Sequence, residues 1–135
     1  MTDQFELNPK LESDLLHLGD FELCQVRMMP SEFNPWLVLV PRRNQIEEWH
    51  HLDLNEQRQL LNELSHASRA IEELFQPTTL NIGALGNIVR QFHLHIIGRF
   101  ETDPSWPGPV WGKDRGSDQN RIAEFKTRLQ TRLFA

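Results

Sequence analysis

The chain has 135 residues, with 19 acidic against 14 basic side chains, a formal net charge of -5 and a single cysteine, Cys24. This length fits one domain with a real core, and the acidic balance removes the broad positive field that polynucleotide binding needs. One cysteine excludes an internal disulfide and a thiolate zinc cluster; with no apolar run of spanning length and a polar start, MTDQFELNPKLESD, the expectation is a cytoplasmic protein with no membrane partner.

In chain order, FELCQVRMM (21–29) and WLVLVPRR (36–43) read as two strands, because β-formers and apolar residues dominate both and PSEFNP between them supplies turn chemistry. They are expected to pair antiparallel. Trp36 to Val40 is continuously apolar, which suits a strand buried on both faces, and Pro41 interrupts its ladder at the end. A helix follows from about Asp53 to Phe75, where Leu60, Leu61, Leu64, Ala67, Ile71, Leu74 and Phe75 recur at helical spacing. Asp53 with Glu56 resembles a capping box, and Pro77 marks the far end. TTLNIGALGNIVRQFHLHIIGRF (78–100) then reads as strand, glycine-containing turn and strand.

From Asp103 to Ser117, three prolines, three glycines and two tryptophans predict an ordered loop without regular structure. Trp106 and Trp111 in it serve either as anchors to the core or as a cover over a bound base or a dimer contact. Residues 118–134 put Ile122, Phe125, Leu129 and Leu133 on one side of an amphipathic helix, with a solvated basic face. The order of elements predicts an α+β domain: an antiparallel sheet covered on one face by one long helix, with a C-terminal helix.

Residues 90–100, RQFHLHIIGRF, carry the chemistry. Read as a strand, Gln91, His93 and His95 share one face, and Phe92, Leu94 and Ile96 fill the core on the other. Three readings compete. The histidines can be half-exposed surface residues. They can be two ligands of a metal, with Glu101 or His50 and His51 as distant contributors, although zinc or iron wants three or four. Or one can be a nucleophile, since neutral imidazole is abundant at physiological pH and can attack phosphorus. The last needs anion-binding groups, and NIGALGN (81–87) supplies Asn81, two glycines and Asn87 in the preceding turn, where backbone N–H groups can approach a phosphate. Arg42, Arg43 and Arg99 are candidate phosphate neighbours.

Taken together, Asn-x-Gly-x-x-Gly-Asn-x-Val-x-Gln-x-His-x-His followed by two apolar residues (81–97) resembles the signature of the histidine triad (HIT) superfamily. WLVLVPRRNQIEEWHHLD ahead of a long helix is similar to the strand, Pro-basic-basic exit and helix of that family. The resemblance covers about 20–111 as the core of a single HIT-like domain spanning 1–135. It implies a nucleotide hydrolase or nucleotidyl transferase, of the diadenosine polyphosphate hydrolase or nucleoside phosphoramidase type, usually a homodimer, acting on a nucleotide or dinucleotide. His93 stands at the nucleophile position and His95 at the third triad position; Gln91 replaces the first histidine. Asn81, Gly86, Asn87 and Val89 fall on substrate- or phosphate-contacting positions. The covalent step requires no metal or other cofactor. Spacing from Pro41 puts Met28 where the family often contacts the ribose, and Asn44 replaces a common histidine after the Pro-basic-basic step. The rivals from other classes are a non-catalytic nucleotide-binding module and a His-x-His metal-binding protein.

Overall fold

The computed structural model describes residues 4–135. Five strands form one antiparallel sheet: β1 (Leu16–Asp20), β2 (Cys24–Met28), β3 (Trp36–Pro41), β4 (Thr79–Gly83) and β5 (Leu94–Arg99), in the order β1-β2-β3-β5-β4. The expected pairing of the second and third strands is present, with Val26 opposite Leu39 and Met28 opposite Leu37. Among the described residues three α-helices accompany the sheet, α1 (Pro9–Asp14), α2 (Leu54–Phe75) and α3 (Gln119–Phe134), with a 3-10 turn at Trp49–His51.

The long helix begins where its sequence says it should. The Asp53 carboxylate accepts from the Glu56 amide and Glu56 reaches back to the Asp53 amide, so two of the orphan N–H groups of the first turn are satisfied reciprocally. At the other end Gln76 takes a left-handed conformation, φ 49°, and its N–H returns to the Glu72 carbonyl. The inner face of α2 is fastened to the sheet by Glu63, a buried carboxylate that accepts from the Leu23 and Cys24 amides at 2.8 Å each. Those two amides lie at the end of the β1–β2 turn and the start of β2 and would otherwise be buried donors without a partner. Gly98 lets the helix approach closely: a Cβ there would stand 2.9 Å from Pro35 and 3.1 Å from Ile71.

Alternation along the strands separates two cores. Val26, Met28, Leu37, Leu39 and Ile96 face α2 and α3. Trp36, Val38, Val40 and Ile97 face the opposite way, where they meet Leu11 of α1, Leu15 just after it and Val110, with Phe5, Leu7 and Trp111 packed around them. The sheet is therefore covered on both faces. Sequence periodicity predicts only the first cover; α1 and β1 are too short to show a period, and the segment 4–8 is outside any helix or strand, its backbone hydrogen-bonded to the side chains of Asn44 and Gln91.

The loop from 103 to 117 holds no helix or strand, as its composition predicts. Its base is tied by a buried pair, Arg99 with Asp103, in which Arg99 Nε donates at 2.9 Å and Nη2 at 3.1 Å. Asn34 and the Phe100 amide also donate to Asp103. Burial alone pushes that carboxyl up, but the hydrogen bonds from Arg99, Phe100 and Asn34 outweigh it and hold it well below the usual carboxylate range. The basic face of α3 is less solvated than expected: Arg132 pairs with Glu73, and Arg128 donates to the Leu74 carbonyl at the end of α2.

Candidate active site

β5 starts at Leu94, four residues later than the sequence suggests, so Gln91 and His93 sit in the connection 84–93 and His95 sits in the strand. The alternation nevertheless holds in space. Phe92 and Ile96 enter the α2-side core, while His95 lies cross-strand from Val38 on the opposite face and opposite Gly83 of β4. Both imidazoles are buried, His93 at 6% and His95 at 4% exposure, with ring centroids 5.1 Å apart. The half-exposed surface pair is thereby excluded.

Each ring has its inner nitrogen assigned by a partner of fixed polarity. His93 Nδ1 lies 2.8 Å from the Gln91 carbonyl oxygen, which can only accept, so Nδ1 carries the proton and Nε2 of the neutral ring carries the lone pair. His95 Nδ1 lies 2.9 Å from Trp36 Nε1, an indole N–H that can only donate, so Nδ1 is bare and the proton of the neutral ring is on Nε2. Two neighbouring imidazoles thus hold opposite tautomers: one offers a nucleophilic nitrogen, the other a hydrogen-bond donor. Trp36 and Trp111 enclose His95, at centroid distances of 5.8 and 5.6 Å. Burial first, and the proximity of His93 second, push the His95 imidazole down to about 4 from 6.5.

His93 opens onto a cleft of about 490 Å³ lined by Glu47, Glu48, Ala84, Gly86, Asn87, Arg90 and Phe92. The predicted Gly86 and Asn87 are therefore brought to the same cleft as His93. A Cβ on Gly86 would meet the Val89 carbonyl at 3.1 Å, which shows how tightly the connection folds back on itself. Arg90 places one cation at the cleft beside the two carboxylates Glu47 and Glu48, and it pairs loosely with Glu47, 3.9 Å away. Sequence reasoning passed over Arg90, Glu47 and Glu48, which have no motif of their own. Val89 is packed with Trp111 against the histidine-side core rather than lining the cleft.

Other expectations are redirected. Asn81 lies on the histidine side of β4, but its amide oxygen accepts from Arg99 Nη1 at 2.6 Å. Gln91 donates to the Glu6 carbonyl and accepts from the Asn8 amide, and Asn44 accepts from the Glu6 amide and donates to the Gln4 carbonyl. Both amides hold the N-terminal segment. Met28 is not placed to meet a ribose: it is 1% exposed and faces α2, because it is cross-strand from Leu37 on the side away from the histidines. The arginines expected near phosphate are engaged elsewhere. Arg42 donates to the Phe21 and Glu22 carbonyls, Arg43 pairs with Glu56, and Arg99 is locked to Asp103. Trp111 packs on His95, and Trp106 lies under the Arg99 guanidinium, 5.7 Å from its ring centroid.

A model of the HIT domain matches residues 10–102, which span the sheet, the long helix and both histidines. The chain belongs to the HIT family. A histidine triad protein from Bradyrhizobium japonicum shares 38% identity, with a TM-score of 0.91 over 98% of this chain and 100% of that one. A HIT protein from Sinorhizobium meliloti 1021 has 40% identity and a TM-score of 0.87, covering 96% and 97%. One from Marinobacter aquaeolei VT8 has 41% identity and a TM-score of 0.90, covering 97% of each chain. No curated protein sequence matches the chain. HIT proteins are generally nucleotide-binding hydrolases or transferases, and among the described residues no helix is long and apolar enough to cross a membrane.

The fixed tautomer of His95 has a consequence for stability. Burial first and the proximity of His93 second make the folded chain resist a proton that the unfolded chain takes up at the ordinary 6.5, and protonating Nδ1 would also set imidazolium and indole donors against each other. Stability is therefore unaffected by His95 above pH 6.5 and falls as pH drops from 6.5 toward 4, by ~3 kcal/mol at most. The Asp103 contribution is present above 3.8 and is lost only below it. Urea midpoints measured against pH should show the first slope in the parent and lose it in His95→Gln, with the fall below 3.8 retained.

Proposed function

We propose that the chain is a nucleotide hydrolase that works through a covalent nucleotidyl intermediate on His93. The opposite tautomers of His93 and His95 carry this reading. Nε2 of His93 attacks the phosphorus of a nucleotide seated in the cleft; a P–N bond forms, and the bond to the leaving group breaks with its electron pair going to the departing atom, a phosphate leaving as the anion and an amine leaving with a proton taken from solvent. The ring becomes a phosphorylated imidazolium whose Nδ1–H still points at the Gln91 carbonyl, and that hydrogen bond is then charge-assisted. Water attacks the same phosphorus, the P–N pair returns to Nε2, and one proton is released with the nucleoside monophosphate.

His95 is neutral at physiological pH, so it acts as an Nε2–H donor to negative charge developing on phosphate rather than as a proton source. Arg90 and the turn at Gly86 and Asn87 supply the remaining anion contacts. The donor set argues against the metal reading. A metal on His95 Nε2 would require the proton at Nδ1, facing the Trp36 N–H, and among the described residues no cluster of three His, Cys, Asp or Glu forms.

Substrates of the dinucleoside polyphosphate and nucleoside phosphoramidate types suit a site that carries its own nucleophile. The chain is also inferred to act in the cytoplasm as a homodimer. β4 has one strand neighbour and presents Ile82, 46% exposed, along a free edge of the sheet. Light scattering should return the mass of two chains; the mass of one would contradict the dimer.

Replacement of His93 by Gly should abolish release of nucleoside monophosphate, about 10³-fold or more, with the thermal unfolding transition retained. Acid quench of the parent during turnover should trap an acid-labile, base-stable nucleotidyl adduct on His93 by peptide mass spectrometry. Equal rates in His93→Gly and the parent would remove the mechanism.

A further inference from the structure

Gln91 and Asn44, the positions where the sequence departs from the histidine pattern, do the same thing in the structure. Each carboxamide offers one donor and one acceptor to the backbone of the same segment. Asn44 Oδ1 accepts from the Glu6 N–H at 3.0 Å while its Nδ2 donates to the Gln4 carbonyl at 2.8 Å. Gln91 Oε1 accepts from the Asn8 N–H at 2.8 Å while its Nε2 donates to the Glu6 carbonyl at 3.0 Å. The four bonds alternate along residues 4, 6 and 8 as a neighbouring strand would arrange them, with side chains in place of a backbone partner. An imidazole at either position could not do this: it carries one proton when neutral, and its two nitrogens point in divergent directions.

The clamped segment covers a working surface. Phe5 and Leu7 pack against the core that holds Trp36, Val38 and Ile97, the face from which His95 projects. None of residues 4–8 lines the cleft in front of His93, which opens on the side of Gly86, Asn87 and Arg90. In the same covered cluster the Trp111 indole N–H is buried without a hydrogen-bond partner, so the closed face keeps a donor that an incoming acceptor could use.

We propose that Gln91 and Asn44 are positioning residues that clamp residues 4–8 as a wall beside His95, and that this wall sets specificity by admitting ligands only across the Gly86–Arg90 side of His93. Substrates with a compact leaving group are favoured; those that need room beside His95 are turned over less efficiently. The specificity half of this proposal rests on the hydrolase reading above, whereas the wall itself does not.

The test compares the parent with the double variant Gln91→Ala/Asn44→Ala, which keeps the Gln91 carbonyl on His93. Hydrogen exchange at the Glu6 and Asn8 amides should accelerate by ~10-fold or more in the variant, and hydroxyl-radical footprinting, mapped by peptide mass spectrometry, should oxidise His95 in the variant and spare it in the parent. Unchanged exchange, or faster exchange with His95 still protected, overturns the wall. Neither readout needs turnover, so the wall stands or falls independently of His93 chemistry. With turnover, the ratio of kcat/KM for a dinucleoside tetraphosphate over a nucleoside phosphoramidate of a small amine should rise about tenfold in the variant. General destabilisation would lower both rates alike, and an unchanged ratio overturns the specificity claim.

Discussion

Two hydrogen bonds to ring nitrogens govern this molecule: a carbonyl that forces the proton of His93 onto Nδ1, and an indole that forces the proton of His95 off it. Imidazole is useful to a phosphorus chemist because it can be either nucleophile or donor, but an unconstrained pair would interconvert and present the wrong nitrogen part of the time. Here the backbone and a tryptophan remove that freedom before any ligand arrives. The preorganisation is inexpensive in reorganisation at the moment of reaction, which is where electrostatic catalysis gains most.

The rest of the fold follows from keeping those two bonds dry and in register. Trp36 begins β3 and is 2% exposed, so its indole is held by a strand that is buried throughout. β5 brings His95 to that indole by pairing with β3, and the Arg99–Asp103 pair at the end of β5 anchors the loop that returns Trp111 over the ring. α2 and α3 fill the opposite face and supply bulk apolar burial, which leaves the histidine face free to carry polar atoms so long as each finds a partner.

The long helix was legible because twenty-two residues repeat a helical period and both ends carry capping chemistry; the strands were legible because alternation and continuous apolar runs survive over five or six residues. The site was legible as a pattern, His93 with His95 behind a glycine turn, and Gly86 and Asn87 do border it. What could not be read was partnership across long sequence separation. Asn44 and Gln91 look like plain replacements for family histidines until residues 4–8 arrive beside them, 40 and 83 positions away. Arg99 looks like a free cation until Asp103 claims it, and Met28 looks available until the register with Leu37 turns it toward α2. Arg90 and Trp36 had no local signal: one is an arginine on a loop, the other an aromatic in an apolar strand, and only the coordinates show what each touches.

The most direct measurement is the long-range ¹⁵N–¹H correlation spectrum of the two imidazoles in uniformly ¹⁵N-labelled protein at neutral pH. His93 should show its proton on Nδ1 and a bare Nε2, while His95 shows the reverse and stays neutral down to about pH 4. Identical tautomers on both rings, or a His95 that takes up a proton near 6.5, would contradict the assignment from which the chemistry is built.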